Sequence, residues 1–411
     1  MNAVTMSVGD KHPRTKLSKG VALVLERIAS ALASIAFPLL LIFVASLQIS
    51  IGAANILLTA LLLSWVAWLT HARARPSAPP FFLALAVYAG VTLISSFFSL
   101  RQRTSLEDDK QLLLFVIVPV VYDLARGRRA STVVDVIVTI GAASAAFGII
   151  QYGMLHYNDR GLRPEGSLTH YMTYSGELML VLCAVVARLV FGSRGRAWPA
   201  LVLPALVAAL SLTLTRSAWV GAGVAVGLLF ALKDFRLTAL VPVAIALVFA
   251  LAPGVVTNRI MSVFDLHDPT NRDRVAMIRA GLGMIRDHPL TGVGPNMVPV
   301  VYSKYRDPDA VEFVQPHLHN VPVQIAAERG LPSLGVFLWF VGWLGVGLFK
   351  AFRSGQDRSL PATAIAALAA MLAAGLFEYN FGDSEFLMLF LVLITLPFAA
   401  TRADAAAPGR V

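Results

Sequence analysis

The stretch PGVVTNRIMSVFDLHDPTNRDRVAMIRAGLGMIRDHPLTGVGPNMVPVVYSKYRDPDAVEFVQPHLHN, Pro253–Asn320, decides how this chain is read. It is the one long water-compatible segment among apolar runs and short connections, and it gathers arginines and histidines into a few short motifs. Polar groups held beside a bilayer are costly unless they bind something. Around this stretch, 57% of the 411 residues are hydrophobic and 14% are charged, too little charge to solvate a soluble core of that size. The chain therefore reads as all-α, a polytopic membrane helical bundle. A net charge of +10 would suit nucleic acid in a soluble protein. In a multi-span protein it follows from topology, so the expected surroundings are the lipid bilayer, with no nucleic-acid partner. Cys183 is the single cysteine, which excludes a disulfide within the chain.

Working outward from the loop, apolar runs occupy Ile28–Leu47, Ala53–Leu69, Phe81–Phe98, Leu112–Leu124, Val133–Gln151, Leu178–Phe191, Trp198–Thr213, Ala218–Leu232 and Leu237–Leu251 before it. Leu331–Phe349, Ala362–Phe377 and Phe386–Phe398 come after it, giving about twelve transmembrane helices. The N-terminus is basic (Lys11, Arg14, Lys16, Lys19) and reads as a retained signal-anchor. The fourth run is short and carries Pro119, but charge parity requires it. With a cytoplasmic N-terminus, alternate connections carry Arg73/Arg75, Arg126/Arg128/Arg129, Arg194/Arg196, Lys233/Arg236, Lys350/Arg353/Arg358 and Arg402. Every one is basic, as the positive-inside rule demands, and dropping a span would invert the later loops. Both termini are thus expected in the cytoplasm. Residues 1–252 form nine spans, 253–330 an external cap, and 331–411 three more spans.

Four islands reach the outer face on this topology: RPEGSLTHYMTYSGEL (163–178), TRSAW (215–219), NRDRVAMIRAGLGMIRDHPLTGVGPN (271–296) and HLHNVPVQIAAERG (317–330). In the third, Val275, Ile278, Leu282 and Ile285 recur at helical spacing, with Asp273 as N-cap and a stop at His288–Pro289 before Gly292 and Gly294. The apolar stripe is expected to face the bundle or lipid. A second short helix is expected after Asn296, and 317–330 reads as a surface-lying helix broken at Gly330–Leu331–Pro332.

Singly, these residues have plain explanations. Arg216 fits a snorkelling arginine anchored by Trp219. Arg272 and Arg274 fit solvated charges, His319 a packing histidine and His317 its solvated neighbour. Glu107, Asp108 and Asp109 fit caps of the fourth span, or ligands of a divalent metal. Turn chemistry accounts for Glu378, Asp383 and Glu385. Together, though, guanidinium groups and an imidazole on one face at the lipid boundary suit an anionic lipid headgroup. Each charge-assisted arginine–phosphate hydrogen bond contributes about 1.5–3 kcal/mol. A neutral histidine beside them could take a proton from a hydroxyl, for about 10²–10⁴ in rate.

At these islands the chain resembles the O-antigen ligase/polymerase superfamily of bacterial envelope glycosyltransferases. The resemblance lies in R-x-x-G…H-x-M-T-Y-x-G at Arg163–Gly176, T-R-S-x-W at Thr215–Trp219, R…D-H-P-L-x-G-x-G at Arg274–Gly294 and H-x-H-N…E-x-G at His317–Gly330. It implies a GT-C-like inner-membrane bundle with a small helical periplasmic cap. It also implies an undecaprenyl-pyrophosphate-linked O-antigen donor, a lipid A-core acceptor and catalysis without a metal or other cofactor. Arg216 and Arg274 would contact the donor pyrophosphate, and His319 would be the general base. Arg163, Arg272, Asn320, His317 and His170 would bind substrate, with Asn320 orienting the imidazole and Glu328 organising the cap. One dominant loop and a short C-terminal tail favour a ligase over a polymerase or a protein O-oligosaccharyltransferase. A lipid-linked glycan transporter is the rival from another class, but it would place ionisable residues near the midplane, often in repeated halves.

Overall fold

A computed structural model describes residues 14–158, 161–193, 195–262, 265, 267–355 and 357–402. Lys11 and Arg194 of the topology argument lie outside the described residues. The helices are α1 (Arg14–Leu47), α2 (Ile51–His71), α3 (Phe82–Phe97), α4 (Gln102–Asp108), α5 (Ile117–Leu124), α6 (Arg129–Met154), α7 (Tyr171–Phe191) and α8 (Ala197–Leu212). They continue as α9 (Arg216–Lys233), α10 (Leu240–Leu251), α11 (Gly254–Met261), α12 (Pro269–Asp287), α13 (Val298–Tyr305), α14 (Val321–Ser354), α15 (Ser359–Ala374) and α16 (Ser384–Ala400). No strand occurs among the described residues. Six helices are long and apolar enough to cross a membrane, and five shorter apolar ones of 10–17 residues accompany them. This is a polytopic helical membrane protein. The fourth apolar run is a 3₁₀ segment, Asp109–Val116, leading into the eight-residue α5. Pro119 falls in the first turn of α5, where its missing N–H costs no helical bond.

Burial identifies the centre of the bundle. From Phe386 to Pro397 every residue of α16 is buried, and α7 is nearly as enclosed. The alanine-rich α15 packs on α7 and α9, its small side chains allowing the close approach that holds helices together in lipid.

Above the bundle, α12, α13 and the first turns of α14 enclose a second apolar core of Met277, Met284, Met297, Tyr302 and Leu318, among others. The expected N-cap changes here. The N-cap of α12 is Asp268, whose side chain accepts from the Thr270 N–H at 3.0 Å with Pro269 in the first turn. Asp273 is buried inside the helix, accepting from the backbone N–H groups of Val311 at 2.6 Å and Glu312 at 3.2 Å. The buried face is Asp273, Ala276, Met277, Ala280, Gly281 and Met284, while Val275 and Leu282 are exposed. Small residues win that face because α14 comes very close: a Cβ on Gly281 would lie 2.4 Å from Val323 Cγ1.

The 317–330 island also departs from a surface-lying helix, since Gln324, Ile325, Ala326, Ala327, Glu328 and Arg329 are all buried. The helix does break where the sequence places the break, at Gly330, with φ 81° and ψ 166°. Pro332 has no N–H for the Glu328 carbonyl, and the Leu331 N–H turns to Pro289 O at 2.8 Å, which frees the Ala327 carbonyl. The glycine loop supplies the missing donors: Val293 N–H to Ala327 O and Gly294 N–H to Glu328 O, both at 2.9 Å. Gly292 has φ +67°, and a Cβ there would sit 2.3 Å from the Glu328 carbonyl carbon. The break in α14 and the glycine loop are therefore one fitted joint, and it fixes the cap over the bundle.

Candidate active site

His319 precedes α14 in a left-handed backbone conformation, φ 48°, a strain of about 1–3 kcal/mol for a residue with a side chain. Two contacts hold it there. The N–H of Val321 donates to Gly375 O at 2.7 Å, and Asn320 Nδ2 donates to Leu376 O at 3.0 Å. Asn320 Oδ1 also caps α14 through the Val323 N–H at 3.0 Å. Asn320 thus anchors the loop and does not touch the imidazole. The imidazole is oriented by Glu378, whose Oε2 lies 3.0 Å from His319 Nδ1. Burial opposes the negative charge of Glu378, but His319, then His317 and the Tyr379 N–H, pull its carboxyl down to about 2. Glu378 is therefore a carboxylate at any physiological pH.

His317 lies beside His319, with ring centroids 4.1 Å apart, and its Nε2 is 3.9 Å from Glu378 Oε1. Burial and the neighbouring His319 press the His317 imidazole down to about 4, so it is neutral. A cavity of about 180 Å³ opens here, lined by His170, Thr173, Ser217, His317, Glu378 and Asp383 among others. It joins the first, second and fourth islands. His170 caps α7 and stacks on Tyr171, centroids 4.6 Å apart, while the Arg163 guanidinium lies over the same ring at 4.3 Å.

The third island enters through Arg274, half-buried on α12. Burial lowers the pKa of its guanidinium, opposed by Glu378, Tyr171 and Asp268, which makes these three its electrostatic neighbours. Among the described residues Arg274 has no hydrogen bond or ion pair. Arg216, at the first position of α9, is 5% exposed and so does not snorkel. Its Nη1 donates to Ser262 O at 2.9 Å, and its Nη2 lies 3.7 Å from Asp268 Oδ1. Trp219 serves the hairpin rather than a lipid interface, donating from Nε1 to Leu210 O at 2.9 Å. Arg259, which the sequence reading passed over, approaches the other oxygen of Asp268 at 3.8 Å and is equally buried. Burial opposes ionisation of Asp268, but the Thr270 hydrogen bond and then Arg216 and Arg259 keep its carboxyl below the ordinary range. Asp268 thus pairs with Arg216, and Glu378 with His319, and both carboxylates act electrostatically on Arg274.

Arg272 stands apart from this grouping, exposed, donating to Asp309 O at 3.2 Å. Glu328 accepts from Val298 N–H at 3.2 Å and from Arg329 at 3.1 Å, holding α13 to α14. The three acidic residues expected at the fourth span cap no helix with a side chain. Glu107 pairs with Arg103 at 3.0 Å and Asp108 approaches Arg329 at 3.5 Å, so their carboxylates do not converge. Among the described residues the group able to hold a metal ion is instead His317, His319 and Glu378. Local sequence gave little hint of Glu378, which lies 59 residues from its histidine in a stretch that turn chemistry already explained.

The helical bundle and its polar corner define a multi-pass membrane protein with a cavity lined by histidines and acidic residues. Residues 199–340 match the family model for O-antigen ligase, a similarity over part of the chain that supports a relationship to the O-antigen ligase/polymerase superfamily. The matched span holds Arg216, Arg259, Arg274, His317 and His319, but neither Arg163 and His170 nor Glu378. No curated protein matches the chain.

Proposed function

We propose that this protein is an O-antigen ligase of the bacterial inner membrane, acting in lipopolysaccharide biosynthesis. It transfers O-antigen polysaccharide en bloc from undecaprenyl pyrophosphate to a lipid A-core sugar hydroxyl at the periplasmic face, with both termini in the cytoplasm. The supporting observation is the juxtaposition of a carboxylate-oriented imidazole, His319–Glu378, with the half-buried and uncommitted guanidinium of Arg274.

With Glu378 accepting from the Nδ1–H of His319, Nε2 keeps its lone pair for a proton from the acceptor hydroxyl. The hydroxyl oxygen then bonds to the anomeric carbon as the bond from that carbon to the pyrophosphate oxygen breaks. A single displacement inverts the anomeric configuration. Pyrophosphate leaves with its charge met by Arg274 and Arg216, and Arg163 assists from the far side of Tyr171. Fixed positive groups placed where negative charge develops are worth about 10²–10³ in rate for each donor. In this scheme guanidinium groups supply that charge, so catalysis needs no metal. Arg216 joins in by exchanging its Ser262 contacts for phosphate oxygens. His317 and His170 line the cavity that would receive the reacting sugar ring.

Reconstitution with lipid-linked glycan and lipid A-core tests the proposal. Glycan joined to lipid A-core supports it. Glycan lengthening would mark a polymerase, glycan on a serine hydroxyl a protein O-oligosaccharyltransferase, and movement without bond formation a transporter.

A further inference from the structure

We infer that His317, His319 and Glu378 form a binding site for a divalent transition-metal ion, with Zn²⁺ the best match, and that filling it holds the transferase off. One ligand atom from each residue lies within 4.8 Å of the other two. The carboxylate spans both rings: Oε2 is 3.0 Å from His319 Nδ1 and Oε1 is 3.9 Å from His317 Nε2. Ligand atoms around tetrahedral zinc, with bonds of ~2.0–2.1 Å, stand ~3.3 Å apart. Side-chain rotation of about an ångström therefore closes the set around an ion.

Two further features point to a ligand. His317 has no hydrogen-bond partner among the described residues, and its buried Nδ1 is unsatisfied. Such a group is costly unless something meets it. The two loops that supply the ligands are also tied by backbone, Val321 N–H to Gly375 O, so the set is already assembled. Two imidazoles and one carboxylate select zinc-like ions over Mg²⁺ or Ca²⁺, which prefer oxygen alone. Three protein ligands leave a fourth position on the ion for water.

The inhibitory half rests on the proposed base role. An ion on His319 Nδ1 takes the lone pair of that nitrogen, so the ring's single proton shifts by solvent exchange to Nε2, and Glu378 leaves the ring to join the ion. The imidazole proton then resides on Nε2, which has no lone pair left for the acceptor hydroxyl. Zinc and catalysis compete for one imidazole.

The test uses full-length protein in detergent, stripped with a chelator and titrated with Zn²⁺ alone. One ion per chain is expected, with affinity at least about tenfold weaker in His317→Ala, His317→Gln and Glu378→Gln. Co²⁺ added to the wild-type protein should give the intense visible absorption of a tetrahedral site, a readout that needs no variant. Absence of binding, equal binding in all variants, or a six-coordinate Co²⁺ spectrum would overturn the site. Transfer rates, each normalised to the zinc-free rate of the same protein, should fall with zinc occupancy and recover with chelator. Zinc bound at these residues with transfer unchanged would overturn the inhibitory role and the base assignment together, while failure of binding leaves the base assignment untouched.

Discussion

Glu378→Gln is the most informative single change, because it keeps size and shape while removing the charge that orients His319. The lost contact is one charge-assisted hydrogen bond of 3.0 Å in a partly buried setting, worth about 1.5–3 kcal/mol. At 1.36 kcal/mol per decade this corresponds to about 10–150-fold in rate. The amide adds a second penalty, since its NH₂ can donate to Nδ1 and favour the tautomer whose Nε2 carries the proton. The loss should fall on kcat with KM nearly unchanged, because the base acts in the transition state and not in holding the ground state. Initial rates with defined lipid-linked donor and lipid A-core acceptor measure it, at a temperature well below the unfolding midpoint of the variant. A folded Glu378→Gln protein whose kcat stays within about twofold of wild type would refute the reasoning, since even the weakest such bond predicts more.

Arg274→Ala should lower kcat by about 10²–10³ while leaving the thermal midpoint almost unchanged, because its guanidinium makes no hydrogen bond among the described residues. Arg216→Ala should lose both rate and stability, since it removes a buried donor to Ser262 and one of the two guanidinium groups facing Asp268; paired unfolding and rate measurements separate the two cases. Glu378 also has a stability signature. Its pKa falls from 4.5 to about 2 on folding, so its contribution is complete above pH 4.5 and fades as pH drops toward 2. That shift corresponds to about 3 kcal/mol, so the midpoint difference between wild type and Glu378→Gln should be large at pH 6 and shrink by pH 3. Gly292→Ala should destabilise the cap, with at least about 1–3 kcal/mol of backbone strain from φ +67° before the clash with Glu328 is counted, seen as a lower thermal midpoint and reduced transfer.

All the apolar runs but Leu112–Leu124 lie on apolar helices of 10 residues or more, legible because membrane-length hydrophobicity is a local property that tertiary contacts rarely overrule. The break at Gly330 was legible for the same reason, being written in a glycine and a proline two residues apart. The buried face of α12 was not. Its bulkiest apolar side chains suggested one stripe, but the space beside Val323 and Leu318 leaves no room for a Cβ at Gly281, and packing selects by volume as well as polarity. Arg216 and His319 stood out because rare polar residues at a lipid boundary attract attention. Glu378 escaped because it acquires meaning through His319, 59 residues away, and Arg259 because its pairing with the nearby Asp268 follows no helical or strand spacing.

The backbone bond from Val321 to Gly375 has a consequence for how so large a substrate gets in. It stitches together the two strips of chain that carry the imidazole and its carboxylate, so that flank behaves as a hinge pin instead of a door. If the proposed function holds, a bulky lipid-borne polymer would be admitted by parting some other wall, and the His319–Glu378 pair would ride through that movement undisturbed, ready before the cargo arrives.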